Sequence, residues 1–129
     1  MKGDDIAERL IDFSVRVIAL AEALSDTRSG KHVCGQLLRC GTSAGANYEE
    51  GRGAESRADF IHKLGIAWKE IRESGYWIRV IQRAKMVKPE LVNGLLQEAI
   101  ELSYILAASI AIAKSRGHGA AKPSSDPTT

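Results

Sequence analysis

Apolar residues recur along this chain at alternating spacings of four and three. Ile6, Leu10, Phe13, Val17, Leu20 and Leu24 form the first such run, and Ile11 and Ile18 widen its stripe. That spacing gathers side chains on one face of a 3.6-residue helix, so it predicts a first helix over about 5–25. Asp4 and Asp5 place acid at its start, where it complements the helix dipole. Ser25 to Gly30 then breaks the pattern with turn-forming residues. Val33, Leu37, Gly41, Ala44 and Tyr48 share the next face, predicting a second helix over about 31–51. Gly51-Arg52-Gly53 is read as its stop, because glycine enters left-handed backbone cheaply.

Ser56, with Asp59 three residues on, is a relative of the capping box and opens a third helix over about 56–86. Its core face is Phe60, Leu64, Ala67, Ile71, Ser74 and Ile78. To one side lies a second apolar strip, Ile66, Trp77, Val80 and Ala84; to the other lie Lys69, Arg72, Tyr76, Arg79 and Arg83. Lys88-Pro89-Glu90 reads as a turn with Pro at the first helical position. A fourth helix over about 89–115 follows, with Val92, Leu95, Ala99, Leu102, Leu106 and Ile110 as its seam and Gly117 as its stop. Residues 117–129 have no periodicity and are expected to be a disordered tail. Residues 1–116 thus read as one all-α domain, an antiparallel up-down-up-down four-helix bundle.

Composition narrows the classes without naming one. A chain of 129 residues, 44% hydrophobic, supports a single core. The formal charge of +2 demands neither a nucleic acid nor a membrane. Cys34 and Cys40, six residues apart on one helix, point about 240° apart and cannot pair within the chain. The start has no apolar run of signal-peptide type, and no stretch reaches 18 uninterrupted apolar residues. A reduced cytoplasmic protein with no membrane span is the expectation.

No catalytic set converges. His32, His62 and His118 are scattered, and neither cysteine has a His near it in sequence. Glu49 and Glu50 are helix neighbours about 100° apart and cannot act on one atom. Di-iron bundles need Glu-x-x-His pairs, and the only approach to one is Asp59-x-x-His62. No enzyme activity, metal, cofactor or small-molecule substrate is expected.

Two features remain. Cys40 to Ala46 is an unbroken run of small residues inside a helix, where Gly41 and Gly45 each cost about 1 kcal/mol against Ala. Close approach of a neighbouring helix would offset that cost; a polar pocket of Thr42, Ser43 and Asn47 is the other reading. The third helix also concentrates positive charge. From Ser56 to Met86 seven Lys/Arg face three acids, net +4, whereas residues 1–55 are net −2. Lys69, Arg72, Arg79 and Arg83 are therefore candidates for phosphate contact. Ile66, Trp77 and Val80 are candidates for a self-association face, since a bundle helix needs only one buried stripe.

The stretch Gln36 to Glu50 (QLLRCGTSAGANYEE) closely resembles the hallmark of the bacterial four-helix-bundle proteins encoded in 23S rRNA intervening sequences. So do Asp59-Phe60-Ile61-x-Lys63-Leu64 and Lys69-Glu70-x-Arg72-Glu73-Ser74-x-Tyr76-Trp77, and the likeness covers about residues 5–115. That family is similar in fold to the accessory variability proteins of diversity-generating retroelements, which associate with a reverse transcriptase and its RNA. The resemblance implies a homopentameric ring that binds RNA or a ribonucleoprotein partner, with no catalytic residues to carry over. A protein-binding adaptor with no nucleic-acid role is the alternative. The resemblance marks Arg39, Gly41, Ser43, Asn47 and Glu50 as structural motif positions. The chain departs from the family pattern at Cys40 (usually Ser), Ala44 (a larger aliphatic) and Tyr48 (Ile).

Overall fold

The protein's structure is a computed structural model that describes residues 3–121, and the side chains of 3–117. It contains four long helices: α1 (Asp4–Glu22), α2 (Arg28–Arg52), α3 (Arg57–Arg83) and α4 (Asn93–Ala121), with a short 3-10 turn at Pro89–Leu91. Among the described residues there is no strand.

Two helix starts have a visible local cause. Thr27 is extended and its hydroxyl accepts from the Gly30 amide, so α2 begins three residues before the sequence reading placed it. Ser56 accepts from the Asp59 amide at 3.0 Å and opens α3 in the same way. The helix ends differ more from expectation. Gly53 follows α2 at φ −93°, so no left-handed glycine stops that helix. Gly51 is instead a packing glycine: a Cβ there would lie 2.9 Å from Leu64 Cδ1 and 3.2 Å from Lys63 Cβ. At the end of α3 the left-handed residue is Lys85, φ 54°. The Met86 amide bonds back to Ile81 O and the Lys85 amide to Gln82 O, the Schellman pattern with Lys where Gly is usual. Finally, α4 runs through Gly117 to Ala121. The remainder of the expected tail, 122–129, lies outside the described residues.

The contacts between helices fix the order of packing. Leu10 lies at Gly45 and Val17 at Gly41, so α1 runs antiparallel to α2. Glu50 pairs with Lys63, and Arg39 with Glu73, across α2 and α3. Gln82 bonds Asn93 at one end of α3, and Arg57 reaches Ala113 O at the other. Arg9 closes the circuit by a two-pronged pair with Glu98, at 2.7 and 3.0 Å, and a third bond to Glu101. Every neighbouring pair is antiparallel, and α1 touches α4 more sparsely than it touches α2.

The core is apolar. Leu10, Phe13, Val17, Leu37, Leu64, Ile71, Ile78, Leu102 and Leu106 are fully buried. The small run lets α1 and α2 approach closely: a Cβ on Gly41 would lie 2.5 Å from Val17 Cγ1. Ser74 is the one buried polar side chain among the described residues; its hydroxyl donates to Glu70 O at 2.8 Å. One expectation needs correction: Ile11 and Ile18, read as widening the core stripe, are 50% and 45% exposed. The segment Pro89–Gly117 is long and apolar enough to cross a membrane by length and composition, and its Leu95, Ala99, Leu102, Leu106 and Ala113 pack inside the bundle.

Candidate nucleic-acid interface

On α3, Lys69, Arg72, Tyr76, Arg79 and Arg83 follow one another at spacings of three and four. They therefore share one face, opposite the buried Ala67, Ile71, Ser74 and Ile78. All four cations are exposed, and Tyr76 between them is 59% exposed. The rise of about 1.5 Å per residue stretches this row over roughly 21 Å of helix. Among the described residues, none of the four forms an ion pair, whereas Arg9, Arg39, Arg52 and Lys63 all do. The Arg72 guanidinium lies over the Trp68 ring, 5.1 Å from its centroid, which orients it without neutralising it.

The acids of this helix explain why the row is uncompensated. Between Asp59 and Glu90 the only carboxylates are Glu70 and Glu73. Both turn toward α2, where Arg39 meets them: Glu73 directly and Glu70 at 3.5 Å. Ser43 donates to Glu70 Oε2 at 2.6 Å, and the Trp77 indole N–H donates to Glu73 Oε2 at 3.1 Å. The hydrogen bond from Arg39, helped by that from Trp77, holds the Glu73 carboxyl below its ordinary range. The same bond raises the Arg39 guanidinium above its own. Sequence alone shows bases and acids interleaved along α3; packing sorts them, acids to the α2 seam and bases to solvent.

The motif residues are spent on packing and bonding within the molecule. Gly41 is buried against α1, Glu50 pairs with Lys63 at 2.8 Å, and Asn47 donates to Ser43 O in its own helix at 2.9 Å. Thr42 donates to Leu38 O at 2.6 Å. Thr42, Ser43 and Asn47 thus spend their polar atoms on separate partners and form no shared pocket. Burial pushes the Cys40 thiol up, and the Ser74 hydroxyl lies 3.4 Å from its sulfur. Ile66, Trp77 and Val80 are each half-buried on the α2 side of α3. The Trp77 ring meets His32 edge-on at 5.7 Å and Tyr76 at 5.0 Å.

A family model described as 23S rRNA-intervening sequence protein matches residues 4–108. The chain belongs to that family. The matched span runs from the start of α1 well into α4. The seam between Arg39, Ser43, Glu70, Glu73 and Trp77 joins two stretches inside the matched span, one on α2 and one on α3. The chain is also similar to a crystal structure of a protein with unknown function from the S23 ribosomal protein family of Bacteroides thetaiotaomicron VPI-5482. The two are 34% identical with a TM-score of 0.76, over 81% of this chain and 97% of that one. No curated protein matches the sequence. Neither description names an enzymatic activity.

Sequence reading missed the apolar surface that the bundle leaves outside. Val15, Ile100, Tyr104 and Ile112 are 59%, 42%, 72% and 51% exposed. The signal was present as doublets: Leu10-Ile11 and Val17-Ile18 each put one residue in the core and the next about 100° away. Also missed was a cleft of about 660 Å³ where α1 begins and α2 ends, lined by Tyr48, Arg52, Arg57, Phe60 and Arg116 among others. Arg52 there is already paired with Asp4 and Glu49.

Proposed function

We propose that this protein is a non-enzymatic helical assembly that binds RNA, alone or within a ribonucleoprotein, through the outward face of α3. The observation that carries the reading is the row of four cations on one helix face, none of them ion-paired among the described residues. Exposed, uncompensated Lys and Arg gain affinity from polyanions by releasing condensed counterions. Arg79 and Arg83 would hold phosphates, and Tyr76 offers an aromatic surface on which an unpaired base can stack. The family resemblance supports RNA as the polyanion and five as the number of copies. The exposed apolar residues of α1 and α4 favour self-association, and they are the observation that would favour a protein-binding adaptor if RNA binding fails.

The test is a gel-shift or polarisation titration with structured and single-stranded RNA at 50 mM and 200 mM salt. Binding that weakens with salt and disappears in Arg72→Glu/Arg79→Glu/Arg83→Glu supports the reading. Absence of binding at the lower salt, or full binding by the triple variant, overturns it.

A further inference from the structure

The cleft where α1 begins and α2 ends has its cause in the lengths of the helices. Arg16 reaches Gly94 of α4, and Arg9 bonds Glu98 and Glu101. That register sets the start of α1 beside the middle of α4, whose 29 residues outlast the 19 of α1. The last turns of α4 therefore run on past the start of α1. They lie against α3 there: Arg57 donates to Ala113 O at 3.4 Å, and a Cβ on Gly117 would sit 2.9 Å from Arg57 Cδ. The cleft left beside them, about 660 Å³, has the size of a small-molecule site.

Its apolar lining comes from three helices. Ile6 of α1 and Phe60 of α3 are half-buried, Leu64 of α3 is fully buried, and Ile112 of α4 is 51% exposed. Its charged lining is three guanidiniums, Arg52, Arg57 and Arg116, against one carboxylate, Glu55. Arg52 is already paired with Asp4 and Glu49. Arg57 and Arg116 are exposed, and among the described residues neither forms an ion pair, nor does Glu55. Each guanidinium carries five N–H donors in a planar fork that matches a carboxylate, and the bond to Ala113 O occupies one of those on Arg57.

We infer that this cleft binds a small amphipathic carboxylate, its hydrocarbon body on Ile6, Phe60, Leu64 and Ile112 and its head on Arg57 and Arg116. The lining selects that chemistry. A cationic ligand meets two unpaired guanidiniums for one carboxylate, and a neutral oil leaves both guanidiniums without an acceptor. A polyanion such as RNA gains nothing from the apolar walls. An acid with a hydrocarbon tail satisfies both halves of the cleft at once, as apolar walls with a few converging polar groups do in small-molecule sites. The site stands apart from the basic row proposed above for RNA, whose first member, Lys69, lies about 18 Å further along α3 than Arg57. It therefore holds whether or not RNA binds.

The probe is decanoate, titrated into the full chain by calorimetry beside decanol and decyltrimethylammonium, which share its chain length. Decanoate should bind saturably, one per chain, and about tenfold or more tighter than either. With isotope-labelled isoleucine methyl groups, the Ile6 and Ile112 signals should shift on titration, while those of Ile11, Ile18 and Ile100, outside the cleft, should stay. Arg116→Ala should weaken decanoate about tenfold, the loss of a charge-assisted hydrogen bond, and leave decanol unchanged. Damage to the fold would weaken both, so that split keeps the test decisive. Ile112→Glu should abolish binding, and Leu91→Glu, an exposed apolar position at the opposite end of the bundle, should not change it. No saturable binding tighter than about 1 mM, or equal affinity for all three probes, overturns the inference. So do shifts confined to Ile11, Ile18 and Ile100, and so does full decanoate affinity in Arg57→Ala/Arg116→Ala. A chain that floats with phosphatidylglycerol vesicles but leaves decanoate unbound would assign the cleft to a lipid surface and overturn the soluble ligand.

Discussion

At the scale of single residues, sign separates one glycine from another. Gly41 sits against Val17, with a Cβ position 2.5 Å from Cγ1 and 2.8 Å from Cγ2. Gly41→Ala should cost about 1–3 kcal/mol as an overpacked site, more than the helix propensity it gains. Gly75 has open space around its Cβ position, so Gly75→Ala should stabilise by up to about 1 kcal/mol. Urea midpoints moving in opposite directions would confirm the contrast; equal shifts would refute it. Glu73 makes a pH prediction. Its carboxyl is held below the ordinary range by the Arg39 hydrogen bond first and by Trp77 after it. A depressed carboxyl contributes stability above its unfolded value, near 4.3, and loses it as pH falls through the folded value. Wild type should therefore lose stability more steeply than Glu73→Gln between about pH 5 and pH 3, and be the more stable of the two at pH 7. Parallel pH profiles would remove Glu73 from the seam's energetics. The identity of these residues was legible in sequence. Their roles were not, since nothing in the order of residues says that Gly41 meets Val17 or that Arg39 reaches two carboxylates more than 30 positions away.

At the scale of helices, the periodic runs located all four elements, and Ser56 was recognisable as a cap. The errors are at ends, where one or two hydrogen bonds decide. Thr27 was hidden in a turn-like stretch because Arg28-Ser29-Gly30 lacks an apolar repeat, yet its hydroxyl starts α2. Gly117 did not stop α4, because backbone freedom permits a turn without requiring one. Lys85 did the opposite, taking a left-handed conformation that most side chains disfavour by about 1–2 kcal/mol. Half-buried Met86, the residue after it, packs on the core and compensates. Lys85→Gly should raise the melting temperature, with a net gain of at most about 1 kcal/mol once glycine's entropy cost is subtracted. A lower melting temperature would show that the Lys85 side chain itself holds the turn.

At the scale of the whole molecule, charge and apolar surface are sorted onto separate faces. The outward row of α3 presents four cations, while the exposed apolar stripes belong to α1 and α4. RNA binding and self-association should therefore be separable. A Tyr104→Asp monomer should still bind RNA, with a log–log salt slope of about −3 to −4 for four phosphate contacts. An assembled ring that engages several rows at once should give a steeper slope. Monomers with no residual RNA affinity would mean that the site is shared between protomers.

The sequence by itself determined the helical class, the four elements and the existence of a basic run on the third helix. Each of these depends on spacing along one chain segment, and spacing is what a sequence records. Tertiary structure decided which faces meet. It drew Glu70 and Glu73 to Arg39 and left Lys69, Arg72, Arg79 and Arg83 facing water with no ion-pair partner among the described residues. It also put Leu10 and Val17 inside while Ile11 and Ile18 stayed out. Spacing puts Leu10 and Val17 in the seam, but hydrophobicity is nearly the same within each doublet, so only the neighbours' positions could decide that Ile11 and Ile18 stay outside.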